Sequence, residues 1–401
     1  VCSNRPDAGR SSAPLISVVM ANYQAGAKIV PAIESVLRQT IGKLELIVCD
    51  DASTDNSVGL VERFVQSDTR VRLIRAKANS GPARCRNRGF EAARGRWIAI
   101  VDSDDIIHHE RLERLVAAAN QHGAAIVADD LLHFYEDGSP ATLLLDRQRT
   151  CLFEVEPEQW IRSGFDGTAP LGYLKPLIRA DVLGDFRYDE SLRIGEDYDL
   201  VLRLLLGGTK MIVVPEPFYL YRRHRGSISH RLSPADLEAM ISSQNAMVDR
   251  LSDLPWPLVI AFAVRHAKLK QSLQFEHLVQ AIKGRKPVQA LSLMLAAPPL
   301  VGLLLRSFVE GRLPKNTAGY QPIHDPLALK PDDVPAYHPI QTANWAEPRP
   351  RQAWVDLANV GRGRPIVVVC TGRAAHYAAG FIPLACVQAS DSSTNALAPV
   401  T

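Results

Sequence analysis

Apolar residues in the N-terminal quarter of the chain follow two alternating rhythms. Leu15 to Ala21 is a nearly unbroken apolar run rich in β-branched residues, the signature of a strand covered on both faces. Ile29, Ile33, Val36 and Leu37 then recur at helical spacing, and Leu44 to Cys49 reads as a second buried strand. Val58, Val61, Phe64 and Val65 mark another helix, Val71 to Ile74 a short strand, Ala83 to Ala93 a helix, and Trp97 to Val101 a further strand. This order predicts an α/β domain whose mostly parallel sheet is flanked by helices.

In open sheets of this kind ligands bind beyond the carboxyl ends of the strands. There the chain places Asn22 and Tyr23, then Asp50 and Asp51, then Asp102-Ser103-Asp104-Asp105. Three aspartates in four positions raise one another's pKa unless a cation or hydrogen-bond donors gather beside them. Mg²⁺ or Mn²⁺ would answer, since such ions take one or two carboxylates and leave room for water and phosphate. The same cluster also suits a turn that caps the helix beginning near Arg111.

From Ala128 to Arg231 little clean periodicity appears until Tyr198, Val201, Leu202, Leu205 and Leu206 line one helical face. Pro234 to about Arg312 is helical and partly basic, and the Pro- and Ala-rich tail is expected to be loosely ordered. The expected division is an extension over 1–13, a catalytic domain over 14–233, a helical region over 234–312 and a tail over 313–401. The longest apolar stretch, Ala290 to Leu305, contains Pro298-Pro299. It falls short of the ~20 residues that span a bilayer, so a helical hairpin or a membrane-surface contact is expected. A net charge of +3 identifies no acidic partner. Six scattered cysteines without metal spacing, and a polar N-terminus, favour reduced thiols and a cytoplasmic location.

Around the second strand the chain reads Val48-Cys49-Asp50-Asp51-Ala52-Ser53-Thr54-Asp55. Around the third helix it reads Asn79-Ser80-Gly81-Pro82-Ala83-Arg84-Cys85-Arg86-Asn87-Arg88-Gly89. With Asp102-Ser103-Asp104-Asp105 and Gly195-Glu196-Asp197-Tyr198, these segments resemble, in order and spacing, the family 2 glycosyltransferases with the GT-A fold. The resemblance implies a nucleotide-sugar-binding domain with a central, mostly parallel mixed sheet, a UDP-sugar donor, inversion at the anomeric carbon, and Mn²⁺ or Mg²⁺ as cofactor. It implies that Asp51 reads the uracil edge, that Asn22 and Tyr23 lie beside the base, and that Arg86 approaches base and phosphates. Asp102 would serve the ribose, and Asp104 and Asp105 the metal, although the motif leaves open which of the three touches the ion. Asp197 corresponds to the base that takes the acceptor proton, with Glu196 in support. In the segment Tyr221 to Ser229, His224 is the candidate for the metal and Arg222 for the diphosphate.

Glu196 and Asp197 also read as helix-capping carboxylates, a placement that lowers a pKa and weakens a base. Gly172-Tyr173-Leu174-Lys175-Pro176 and Leu192 to Tyr198 are similar to a narrower group, the bacterial succinoglycan-type exopolysaccharide glycosyltransferases. This likeness implies Tyr173 and Lys175 on the acceptor side, glucose or a related hexose as the donor sugar, and an oligosaccharide acceptor on polyprenyl diphosphate. It also implies work at the inner face of the cytoplasmic membrane, with the basic helical region in peripheral contact with anionic lipid.

Rival readings are weaker. Ala21-Asn22-Tyr23-Gln24-Ala25-Gly26 stands where a Rossmann dehydrogenase carries Gly-x-Gly-x-x-Gly, and no Gly-Lys-Ser/Thr phosphate loop occurs. Nucleic acid is not an expected partner, because the basic segment after Tyr221 lacks interleaved aromatics. A nucleotidyltransferase on a related fold would open with a glycine-rich basic loop. A catalytically idle nucleotide-binding module is the remaining alternative.

Overall fold

The computed structural model describes residues 13–135, 142–145, 151–165, 167–223, 232–312, 368–370 and 387–389. The chain opens with β1 (Ile16–Asn22), α1 (Ile29–Leu37), β2 (Leu44–Asp50), α2 (Ser57–Ser67), β3 (Val71–Arg75), α3 (Pro82–Ala92) and β4 (Trp97–Ile100). These match the expected alternation to within a residue or two at most ends. Every residue of β2 and β4 is buried, as continuous apolar strands with helices on both faces require. Helix α3 approaches closely because Gly89 has no side chain; a Cβ there would lie 2.3 Å from Val19 Cγ1.

The next elements are β5 (Ile106–Ile107), α4 (Arg111–His122), β6 (Ile126–Tyr135), β7 (Thr142–Leu143), β8 (Phe153–Glu154), α5 (Pro157–Arg162), β9 (Leu177–Arg179), α6 (Ala180–Leu183), α7 (Glu196–Leu206) and β10 (Met211–Arg223). The sheet order is β3-β2-β1-β4-β9-β6-β10-β5, with β7 on β6 and β8 on β10. Strands β3, β2, β1 and β4 run parallel, as do β6 and β10, whereas β9 is antiparallel to both β4 and β6. The sheet is therefore a mixed, GT-A-like sheet flanked by helices, and less parallel than expected. A three-residue strand carries too few alternations to be read from sequence, and β9 is the element that splits the parallel set.

In β10 the pairing with β6 shifts register between Val214 and Tyr219, across Pro215 and Pro217. Proline cannot donate to a ladder, so the strand bulges there. Tyr219 and Arg222, beyond the bulge, reach the loop after β4 (below).

Four helices follow: α8 (Pro234–Val248), α9 (Trp256–Lys283), α10 (Pro287–Ala296) and α11 (Pro299–Arg312). Ala261 and Phe262 of α9 join the main core, while Leu278 and Ala281 form a separate small cluster with Ala290 and Leu300. Helices α10 and α11 meet at a 118° bend at Pro298-Pro299, in keeping with the expected hairpin. Among the described residues no single helix is long and apolar enough to cross a membrane. Of the tail, β11 (Val368–Cys370) and β12 (Val387–Ala389) pair in parallel; the other positions of 313–401, like 1–12, lie outside the described residues.

Cys49 and Cys85 are free and buried. Burial pushes both thiols up to about 12, and Cys85 Sγ donates to the Cys49 carbonyl at 2.9 Å.

Candidate active site

The strand-end residues converge. Asn22 and Asp50 are register partners at the tips of β1 and β2. Asn22 Nδ2 donates to Asp50 Oδ1 at 2.7 Å and to Ser57 Oγ at 3.0 Å, so Asn22 ties the first strand to the start of α2. Asp51 Oδ2 accepts from the backbone N–H groups of Ser80 (2.8 Å) and Gly81 (2.7 Å); its Oδ1 accepts from Ser80 Oγ (2.8 Å) and Arg88 Nη1 (3.3 Å). Gly81 takes a φ of 88° to open α3. Four donors fill the roughly four acceptor sites of a carboxylate; as placed, Asp51 shapes this loop. Tyr23 stands at the rim, 51% exposed.

A second cluster lies beyond β4. Arg86, on α3, donates from Nη2 to Asp102 Oδ1 at 2.8 Å and from Nη1 to Glu196 Oε1 at 2.7 Å. Lys175 Nζ bridges Asp102 Oδ2 at 2.8 Å and Asp197 Oδ2 at 3.0 Å. The Arg86 guanidinium also lies 3.9 Å from Asp197 Oδ1 and 5.6 Å from the centre of the Tyr188 ring. Two cations thus hold three carboxylates in a buried junction contributed by α3, the β4 tip, the loop before β9, and α7. Gly195, at φ 90°, sets the start of α7, and a Cβ there would meet Met240 Cε at 2.7 Å.

The electrostatics divide the carboxylates. Burial disfavours charge on Asp102, yet Lys175 and Arg86 outweigh it and hold its pKa well below the usual range. Asp197 is likewise lowered, burial being overcome by Lys175 and then Arg86. Glu196 is raised, by burial and by the adjacent Asp197 charge. Asp105 is raised well above its ordinary value by burial and by the charges of Asp104 and Asp102.

Asp105 points inward. Its Oδ2 accepts from Tyr219 Oη at 2.8 Å and its Oδ1 from the Arg222 N–H at 2.7 Å. Tyr219 Oη in turn accepts from the Asp102 N–H at 3.1 Å. Arg222 Nε donates to the Asp104 carbonyl at 2.8 Å, and its guanidinium lies 5.4 Å from the Phe134 ring centre. Asp105 and Arg222, read from sequence as metal and diphosphate ligands, are thus engaged in fixing the acidic loop to β10. Lys175, expected at the acceptor, sits within the ionic junction, 3.0 Å from Asp197 Oδ2. Tyr173 packs edge-on to Tyr221 at 6.5 Å, with the Arg223 guanidinium 5.3 Å from its ring centre. His224 lies outside the described residues. Among those residues no group of three or more His, Cys, Asp or Glu could hold a metal ion. Both Asp102 oxygens are engaged, Oδ1 by Arg86 and Oδ2 by Lys175, while Asp104 is half-buried.

The sequence reading missed Tyr188 and Tyr219. Tyr219 follows the Pro215-Glu216-Pro217 turn, a visible sign that the strand is interrupted just before it.

A family model described as Glycosyl transferase family 2 matches residues 17–172. The succinoglycan biosynthesis protein ExoO of Rhizobium meliloti is 36% identical over 294 residues, covering 71% of this chain and 82% of that protein. ExoU, a succinoglycan biosynthesis protein of the same organism, is 27% identical over 320 residues, with 75% and 90% covered. Among solved structures, the mannosyltransferase PcManGT from Pyrobaculum calidifontis, in complex with GDP-Man and Mn²⁺, shares the fold at a TM-score of 0.50 and 16% identity, covering 77% of this chain and 84% of that one. A likeness to ExoO that extends over most of both chains, joined to carboxylates gathered at the strand tips, shows that this chain belongs to glycosyltransferase family 2.

Proposed function

We propose that this glycosyltransferase moves glucose or a related hexose from a UDP-sugar to a hydroxyl of a saccharide acceptor on polyprenyl diphosphate, in exopolysaccharide synthesis at the inner face of the cytoplasmic membrane. One observation carries the reading: Asp102 and Asp197, from distant parts of the chain, share Lys175 and Arg86 in one junction. A strand-tip carboxylate for the donor and a helix-start carboxylate for the acceptor therefore face the same small volume. The names of the relatives, succinoglycan biosynthesis proteins, support the class of product.

Tyr23 and Asp51 form the base side, where the uracil N–H takes the place of the Ser80 hydroxyl on Asp51 Oδ1. Asp102 turns to the ribose. Asp104 would hold a divalent ion, whose chemistry there would be to neutralise the charge that develops on the leaving diphosphate. Asp197 accepts the acceptor hydroxyl's proton while the oxygen attacks the anomeric carbon from the face opposite the leaving group. The bonding pair of the broken bond leaves on the β-phosphate oxygen of UDP. In the free protein Lys175 weakens Asp197 as a base. An arriving diphosphate offers Lys175 and Arg86 a competing anion, and loosening of the pair raises Asp197 toward useful basicity. Tyr173 and Tyr221 give the acceptor sugar an aromatic wall.

Calorimetric titration with UDP tests the donor side. Binding is expected to require Mn²⁺ or Mg²⁺ and to collapse in Asp104→Ala; equal, metal-independent binding by both proteins would refute the metal assignment. Release of UDP from UDP-glucose in the presence of membrane lipid extract tests turnover, and its absence with every UDP-hexose would leave the idle-module reading in its place.

A further inference from the structure

Helix α10 is apolar on both sides. Ala290, Leu293 and Met294 face the small cluster against α9 and α11. On the opposite side Val288, Leu291 and Leu295 repeat at helical spacing and are 82%, 55% and 73% exposed. Ile282 at the end of α9, and Val301 and Leu305 on α11, add to this exposed apolar surface. A helix that is apolar all round ordinarily has a cover on each face, and a soluble surface rarely leaves such a stripe bare.

The charge around the stripe indicates what covers it. Lys283, Arg285 and Lys286 stand exposed at the junction of α9 and α10, and the segment 277–305 contains no Asp or Glu. An apolar stripe bordered by cations and free of carboxylates complements a surface that is hydrocarbon beneath and anionic at its rim. The 118° bend between α10 and α11 prevents the pair from forming one straight span, so the stripe lies in the plane of an interface.

We propose that the α9–α10–α11 end of the molecule is a docking face for an anionic lipid bilayer, with Val288, Leu291 and Leu295 entering the headgroup layer and Lys283, Arg285 and Lys286 on lipid phosphates. The inference rests on the reading above for its purpose, bringing the site to a lipid-borne acceptor. Its test is independent of turnover.

The full chain is mixed with vesicles of phosphatidylcholine alone, or of phosphatidylcholine with phosphatidylglycerol, and separated by flotation. Binding is expected only to the anionic vesicles and is expected to weaken as salt rises. Leu291→Glu should reduce binding by roughly tenfold or more, and Lys286→Gln by about fivefold, the effect of one cation at such a surface. Both positions are exposed, and unchanged UDP binding by each variant shows that the catalytic domain is intact. If the full chain stays with the unbound fraction, the proposal fails. It fails in favour of a second copy if light scattering finds a dimer that Leu291→Glu dissociates, and in favour of cover by the chain's own tail if the protein is a monomer. Wild-type binding by both variants would also overturn it. A protein that floats with anionic vesicles yet turns over no UDP-hexose would retain the docking face and lose the proposed reaction.

Discussion

The two ends of the candidate active site are held by different forces. At the tips of β1 and β2, Asn22 is fixed by the Asp50 carboxylate and the Ser57 hydroxyl, and Asp51 largely by backbone N–H groups and a neutral hydroxyl. Beyond β4, Asp102, Glu196 and Asp197 are fixed by two buried cations that come from other elements. Amide-held carboxylates have a geometry that changes little with charge state elsewhere, which suits recognition of a base. Carboxylates held by side-chain cations can exchange partners when an anion arrives, which suits chemistry. In the proposed reaction, recognition and catalysis would be divided between these two ends.

The largest effect that can break this division is at Asp197. Asp197→Asn is expected to lower transfer by about 10²–10⁴, the usual contribution of a general base, with UDP binding retained or tightened, because Lys175 and Arg86 lose a competing anion. Preserved turnover in a coupled UDP-release assay would return Asp197 to helix capping.

Next is Lys175→Met, which leaves Asp102 and Asp197 short of a counter-charge. Removing one partner of a buried pair costs about 3–5 kcal/mol, readable by urea unfolding. The same variant should move the acidic limb of the pH–rate profile upward, because the lowered pKa of Asp197 depends on Lys175. In the wild type, the stabilisation from the lowered pKa values of Asp102 and Asp197 is present above their ordinary unfolded values. It is lost as pH falls through the folded ones. Urea midpoints should therefore drop below about pH 4, and drop less in Asp102→Asn.

At the amide-held end, Asp51→Ala is expected to cost about 2 kcal/mol, the scale of hydrogen bonds to a charged group, and to leave the pH–rate limb where it is. A shifted limb would mean that the two ends are electrostatically one. The smallest effect is expected at Tyr23→Ala. Its exposure predicts stability within about 0.5 kcal/mol of wild type, while loss of a ring face should weaken UDP binding by roughly 1 kcal/mol.

The strands and helices from β1 to β4 were legible because each is an apolar run or stripe set by its own burial, and the acidic tips follow from where those runs end. Strand β9 was not, being three residues in a stretch without rhythm, and its antiparallel insertion made the sheet more mixed than the first half implied. The candidate residues Asn22, Asp51, Arg86, Asp102 and Asp197 were legible as motif positions, but their partners were not. Asp105 reads in sequence like its neighbours and differs only because the bulge in β10 brings Tyr219 and Arg222 against it.

By itself the sequence determined which segments are buried, where the strands end in carboxylates, and which family the motifs resemble. These depend on local periodicity and on residue identity. Only the tertiary structure decided that Lys175 belongs between Asp102 and Asp197, that Arg86 reaches Glu196 across 110 positions, and that one side of α10 has no cover among the described residues. Each of these depends on the distance between elements that are far apart in the chain, and electrostatic energy follows that distance and its burial rather than sequence separation.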